Sequence, residues 1–245
     1  MSMSVDGAFI YFTIPIFGGI PITQTTVSHL IVTIFLCTVC IVLGKRLTKR
    51  PNGVQVMVEK GVMMVRNMVV ETMGEHNAHW TPFITTIFLS SICGSFIGLT
   101  GFLRSSTADL SCTLVWALMV TAIIWYHNIK NNGFLGWLKG FTEPIVVMTP
   151  MNVISEIAQP VSMAFRHFGN ILSGTVISTL LYWALASLSH VIFGWLPGFL
   201  SQIQLFQIGI PAFTGLYFDW FGGCIQAFIF CTLTAIFIKR AAGED

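Results

Sequence analysis

The sequence predicts an all-α polytopic membrane protein with five transmembrane helices, and three observations predict it. Only 9% of the 245 residues are charged and 54% are hydrophobic, whereas soluble domains carry about 25% charged residues. The mean hydropathy of the whole chain is +0.79, which leaves no room for a sizeable soluble domain. Apolar runs of about 20 residues, the length needed to cross a bilayer, recur along the chain with basic clusters at their ends.

Residues 1–26 form an N-terminal segment before the first span, with no basic stretch ahead of the first apolar run, so a cleaved signal peptide is not expected. The first span, 27–50, is apolar from Val27 to Gly44 and closes on Lys45, Arg46, Lys49 and Arg50. That cluster is the strongest positive-inside signal, so the span exits into the cytoplasm and the N-terminus lies outside. Pro51-Asn52-Gly53 breaks the helix. Over 51–76, apolar residues recur at Val54, Met57, Val58, Gly61, Met64, Val65, Met68 and Val69, with Glu59, Lys60, Arg66 and Glu71 on other faces. A 3.6-residue period with this many charges predicts an amphipathic helix along the cytoplasmic interface.

The second span, 80–102, runs outward from Trp80 to Phe102, and Arg104-Ser105-Ser106 makes the outer turn. The third, 109–130, returns inward with Trp125 and Tyr126 as interfacial anchors. Residues 131–150 read as a cytoplasmic loop, interrupted by Pro144 and Pro150. Two stretches remain, 151–190 and 203–240, each well beyond the about 20 residues a perpendicular span needs. They form a long tilted hairpin, with Pro160 as one expected bend and Trp195-Leu196-Pro197-Gly198 in the connecting outer loop. Lys239 and Arg240 place the C-terminus inside, and every basic cluster except Arg104 obeys this topology.

This hairpin carries the polar residues with most to say about function. Arg166 lies in the middle of a mostly apolar run. A guanidinium at the bilayer centre costs about 2.5–3.5 kcal/mol on insertion scales and cannot shed its proton, so it must face water or an anionic partner. Arg166, Asn170 and Ser173 follow at i, i+4 and i+7 and share one face; His167 sits about 100° away. On the last helix Asp219 and Gln226, at i and i+7, also share a face. Packed antiparallel, Gln226 can lie level with Arg166 or Asn170, and Asp219 close to Thr175, since Arg166 to Thr175 rises by about 13 Å and Asp219 to Gln226 by about 10 Å. The result is a polar track from the outer surface to a mid-membrane arginine, with Arg166 and Asp219 offset by about two turns rather than paired.

These residues resemble subunit a of the F-type ATP synthase, bacterial type. Pro160-Val-Ser-Met-Ala-Phe-Arg166-His-Phe-Gly169-Asn170 with Gly174 is similar to that family's hallmark segment, and Ile225-Gln226-Ala227-Phe228-Ile229-Phe230 to its last-helix motif. Thr107-Ala108-Asp109-Leu110, Val70-Glu71-Thr72-Met73-Gly74, Pro51-Asn-Gly-Val-Gln55 and Pro150-Met-Asn-Val-Ile resemble further family segments, in order along nearly the whole chain. The resemblance implies a non-catalytic stator subunit in a bacterial inner membrane, without a cofactor. Its partners would be a ring of c subunits, a b-subunit peripheral stalk, the rest of the ATP synthase and membrane lipid. It would supply two offset half-channels for protons or sodium ions. Arg166 would face the ring carboxylates, with Asn170 and Gln226 flanking it.

The chain departs from the family at three places. Thr175 and Asp219 stand where some members carry an acid and a histidine, so the ionisable group has moved between helices within one layer, and Asp219 is read as the outer relay. His167 replaces a usual leucine, either as a packing residue or as one that tunes the channel's response to pH. Glu156, toward the cytoplasm, reads as an inner half-channel residue or an interfacial acid. Asp109 reads as a helix cap or a channel-mouth residue.

The six cysteines and the remaining histidines show no metal-ligand spacing, and nothing in the composition points to nucleic acid. Two other classes fit the sequence less well. A stand-alone transporter binding an anion at Arg166 would favour an internal inverted repeat, and none is apparent. An intramembrane enzyme needs a motif such as HExxH, GxSxG or paired aspartates, and a nucleotide site needs GxxxxGK[ST]; none is present.

Overall fold

The computed structural model describes residues 9–15, 19–49, 53–100, 102–143, 145–193 and 210–243; the side chains of Ile14, Ile20, Ile210, Pro211, Ala212 and Asp219 lie outside that description. The expected outer loop Trp195–Gly198 and the start of the last helix before Ile210 also lie outside the described residues.

Five helical segments are long and apolar enough to cross a membrane: Gln24–Lys45, Glu75–Thr100, Leu110–Gly140, Val146–Ile192 and Phe213–Ala242. The five-span, all-α architecture therefore stands. One small element is not helical. Strands β1 (Ile10–Ile14) and β2 (Ile20–Thr23) pair antiparallel as a hairpin ahead of the first helix. Its apolar run conceals the two-residue alternation that marks a strand with one wet face.

Helix α1 (Gln24–Lys45) starts where Thr23 Oγ1 accepts the Thr26 amide, 3.3 Å away, which satisfies one of the free donors of the first turn. Helix α2 (Gly53–Met73) is long but is not among the apolar spans. Only its last turns dock: Val65, Val69 and Met73 are buried, whereas Val54, Met57 and Met64 on the same helix are exposed. At Gly74, a φ of 87° turns the chain sharply into a 3₁₀ turn (Glu75–Trp80), a conformation that glycine adopts without a Cβ penalty. Helix α3 (Thr81–Phe96) follows and tightens into a 3₁₀ turn at Ile97–Thr100.

Helix α4 (Leu110–Gly140) is capped by Asp109, whose Oδ1 accepts the Ser111 amide at 2.9 Å. It runs on through what the sequence presents as a loop. The regular helix breaks at Gly133 (φ 71°, ψ 164°), and a further helical piece reaches Gly140. Phe134, Leu135 and Leu138 on that piece are exposed, consistent with a helix lying at a membrane surface after the kink. Helix α5 (Thr149–Phe193) is a single 45-residue helix that accommodates Pro160. Helix α6 (Ile210–Leu216), a π-helical segment (Tyr217–Gly222) and helix α7 (Gly223–Ala242) follow without a break.

The core lies between α3, α4 and α7, with the end of α2 and one side of α5 closing it: Ile84, Ala117, Val120, Ala164, Phe230 and Ala235 meet there. The outer helices differ sharply from it. Only 11% of the apolar stretch of α1 and 17% of that of α5 is buried within the chain, against 44% for the last helix. Most of the surface of α1 and α5 must therefore meet lipid or another chain.

Candidate functional site

Helix α5 divides its polar residues between two faces. Arg166 is exposed and makes no hydrogen bond or ion pair among the described residues. Around it on the open side stand Phe165, Leu172 and Val176, all exposed, and Ser173 and Thr175 are exposed beyond them. Ser173 and Thr175 return their hydroxyls to backbone carbonyls one turn earlier, at 3.0 and 2.9 Å. Asn170 is half-buried, and its Nδ2 is enclosed without a partner.

Two close approaches fix how α5 meets the last helix. A Cβ on Gly222 would stand 3.0 Å from Asn170 Nδ2, and one on Gly174 would stand 3.0 Å from Phe218 Cβ. Contacts four residues apart on both helices of the pair set an antiparallel register. Carried one turn further, it brings Gln226 level with Arg166 and puts the backbone of Asp219 level with Ser173. Gln226 is buried, and its Nε2 also lacks a partner. Asp219 lies inside the π-helical segment, so the straight-helix argument for a face shared with Gln226 does not hold: a wider turn rotates less per residue, and the two positions drift apart.

His167 points the other way. It is 1% exposed. Its Nε2 lies 3.0 Å from Ser91 Oγ on α3, and its ring packs edge-on against Trp116 on α4 and Phe230 on α7, with centroids 5.8 Å away in each case. From Ser91 a run of buried hydroxyls continues. Ser95 Oγ donates to the Ser91 carbonyl at 3.0 Å, Thr107 Oγ1 lies 3.3 Å from Ser95 Oγ, and Ser105 Oγ lies 2.8 Å from Thr107 Oγ1. The sequence marks Ser105 and Thr107 only as parts of the outer turn and a family-like segment, and it does not mark Ser91 or Ser95. The available signal was Ser91 and Ser95 at i, i+4 in an apolar span, hence on one face.

Two clefts open near the ends of the bundle. One, of about 260 Å³, lies between α1 and α4 and is lined by Thr25, His29, Asp109, Cys112 and Trp116. Asp109 does two things there: beyond capping α4, its Oδ2 accepts the Thr25 hydroxyl at 2.7 Å. The other, of about 370 Å³, lies where the far end of α4 meets the start of α5 and is lined by Asn128, Asn132, Asn152, Glu156, Gln159 and Arg240. Glu156 is half-buried and accepts the Trp125 indole N–H at 2.6 Å. The predicted residues thus separate into three places: Asp109 at one cleft, Glu156 at the other, and Arg166, Asn170 and Gln226 where α5 crosses the last helix. Among the described residues, no three His, Cys, Asp or Glu side chains come together as a metal site.

Residues 26–239 match the family model described as ATP synthase A chain. The chain belongs to that family. It is 31% identical to the "ATP synthase subunit a, sodium ion specific" of Propionigenium modestum, a match that takes in 92% of this chain and 76% of that one. It is 30% identical to ATP synthase subunit a of Limosilactobacillus reuteri, covering 95% of this chain and 97% of the relative. With that of Anoxybacillus flavithermus it shares 31% identity over 93% and 95% of the two chains. Subunit a is an ion-translocating part of the synthase's membrane sector, works with other subunits, and is consistent with a non-catalytic role in a complex that is itself an ATPase. Membership sets aside the stand-alone transporter and the intramembrane enzyme.

Proposed function

We propose that the chain is the stator half of the rotary ion path, with the open face of α5 against a ring of c subunits and with a b-subunit stalk holding it in place. The observation that carries this reading is Arg166: an exposed, unpaired guanidinium midway along a helix whose other exposed residues are mostly apolar. Such a charge in a membrane needs an anion or water facing it. A ring carboxylate supplies the anion. As each one passes, the fixed cation favours its ionised form and so drives release of its ion. Arginine suits the task because, unlike lysine, it does not deprotonate when desolvated.

Two offset half-channels then follow from the two clefts. By the positive-inside pattern, the cleft at Asp109 opens outside and the cleft at Glu156 opens to the cytoplasm of a bacterial inner membrane. Asn170, Ser173, Thr175, Asp219 and Gln226 lie on the outer side of the arginine or beside it, and Arg166 blocks a direct leak between the two paths.

The test is ATP-driven ion uptake and ion-driven ATP synthesis in vesicles carrying the whole complex, comparing Arg166→Ala with the parent. Loss of both activities in a fully assembled complex is the expected result. Coupling at near-parent rates would overturn the proposal.

A further inference from the structure

We propose that the hairpin of β1 and β2 is seated in the interfacial layer of the membrane, where lipid headgroups meet acyl chains, and that it holds the start of α1 and the rim of the Asp109 cleft at that depth. Its partner is lipid. The proposal stands apart from the stator reading above and needs only that α1 crosses the membrane.

The hairpin carries bare apolar surface. Phe9, Ile10, Tyr11 and Phe12 are 66%, 51%, 51% and 59% exposed. Phe12 and the next residue, Thr13, are both exposed, and successive strand residues point to opposite faces, so the chain itself covers neither face there. From Gly7 to Gly44 the sequence holds no Asp, Glu, Lys or Arg. The aromatic surface continues onto the neighbouring end of the bundle. The Gln24 backbone N–H donates to the Phe9 carbonyl at 2.9 Å, and its Nε2 donates to the Phe102 carbonyl at 3.3 Å. Phe102, tied beside the hairpin in this way, is 88% exposed. Strand β2 runs straight into α1. The apolar stretch of that helix is only 11% buried within the chain, so the hairpin stands where a lipid-facing span leaves the membrane.

Two opposing demands fix the depth. The large apolar side chains favour a place out of water. The two-stranded sheet has an open edge on each strand, and unpaired backbone groups do not enter the hydrocarbon core. The interfacial layer meets both demands: acyl chains receive the side chains, and water reaches the edges. Aromatic residues with a polar tip, such as Tyr11, gather at that level. A protein partner fits less well. Pro21 removes a donor from β2 and blunts strand addition at its edge. A protein interface also carries a polar rim, and the hairpin has no charged residue to contribute to one. The seat bears on the cleft. Thr25, just past β2, donates to Asp109 Oδ2 at 2.7 Å and lines the cleft of about 260 Å³. A hairpin held among headgroups therefore sets the cleft's mouth at the same level.

The experiment uses the whole complex in nanodiscs of phosphatidylethanolamine and phosphatidylglycerol. The chain already holds seven tryptophans, so a coumarin amino acid replaces Phe12 and, in a second variant, Tyr11. A third variant carries it at Ile34, an exposed residue near the middle of α1, as the mid-membrane reference. Quenching is read with aqueous iodide and with lipids brominated near either the headgroup end or the methyl end of the acyl chain. At Phe12 and Tyr11 the headgroup-end bromine should quench about twofold more than the methyl-end bromine, and iodide less than either. Ile34 should show the reverse order of the two lipids. If one hairpin variant fails to assemble, the other decides. Iodide quenching that exceeds bromine quenching would place the hairpin in water. Quenching by none of the three would mean that another chain covers it, and stronger quenching from the methyl end would place it in the hydrocarbon core. Each of these three results overturns the proposal.

Discussion

Arg166 and His167 are neighbours in the chain, and they meet opposite surroundings. The first stands on the open face of α5 with no partner among the described residues. The second is enclosed by α3, α4 and α7, held by a hydroxyl and two aromatic rings. One helix thus presents a charge on its open face and an imidazole ring to the interior of the bundle. Function and stability should divide between the two faces accordingly, and substitutions can break that division.

The largest effect belongs to the open face. Arg166→Gln should lower coupled pumping about a hundredfold. Because the side chain holds nothing within the subunit, thermal stability in detergent should move by less than about 0.5 kcal/mol. A large loss of stability would mean that the two faces are not separable. The enclosed face should behave the other way. His167→Ala leaves a cavity between three helices and should destabilise by about 2–4 kcal/mol, read as lower subunit abundance and an earlier melt.

A third substitution tests how tightly the core is closed. A Cβ on Gly223 would meet Ser95 Cβ at 2.9 Å. Gly223→Ala should push α3 from α7 at a cost of about 1–3 kcal/mol, measurable by thermal unfolding. The smallest effect is expected at the α1 end. Thr25→Val removes the hydrogen bond to Asp109 and should cost about 1 kcal/mol, with pumping preserved unless Asp109 turns toward the cleft.

The parts legible in the sequence were those on which lipid imposes a hard constraint. Five spans were readable because a spanning segment must be long and apolar. Arg166 stands out in the sequence because a charge within an apolar run needs a reason. What depended on helix meeting helix was not readable. Ser91, Ser95 and Thr107 look like small filler until α3, the α3–α4 turn and α5 are brought together. His167 gave two readings, packing and tuning, because sequence does not say which neighbours it has. The N-terminal hairpin was hidden in an apolar run, and the helix beyond Gly133 resembled a loop because Pro144 and Pro150 suggested breaks. The π-helical segment was invisible, since an i→i+5 turn requires no particular residue.

That segment has a consequence for how this chain could vary. Tyr217–Gly222 accommodates roughly one residue more than an α-helix of the same length would hold. Deleting a single residue there would let the turn relax to ordinary α geometry while the frame beyond Gly223 stayed seated against α3. Residues upstream, Asp219 included if the deleted residue follows it, would keep nearly the same phase around the helix axis, because the six residues at π pitch turn about as far as roughly five at α pitch. Length at this one place is thus buffered against its effect on side-chain phase. A one-codon deletion here would leave both flanks aimed as they are, whereas the same deletion in the regular helix would turn one flank by about 100°.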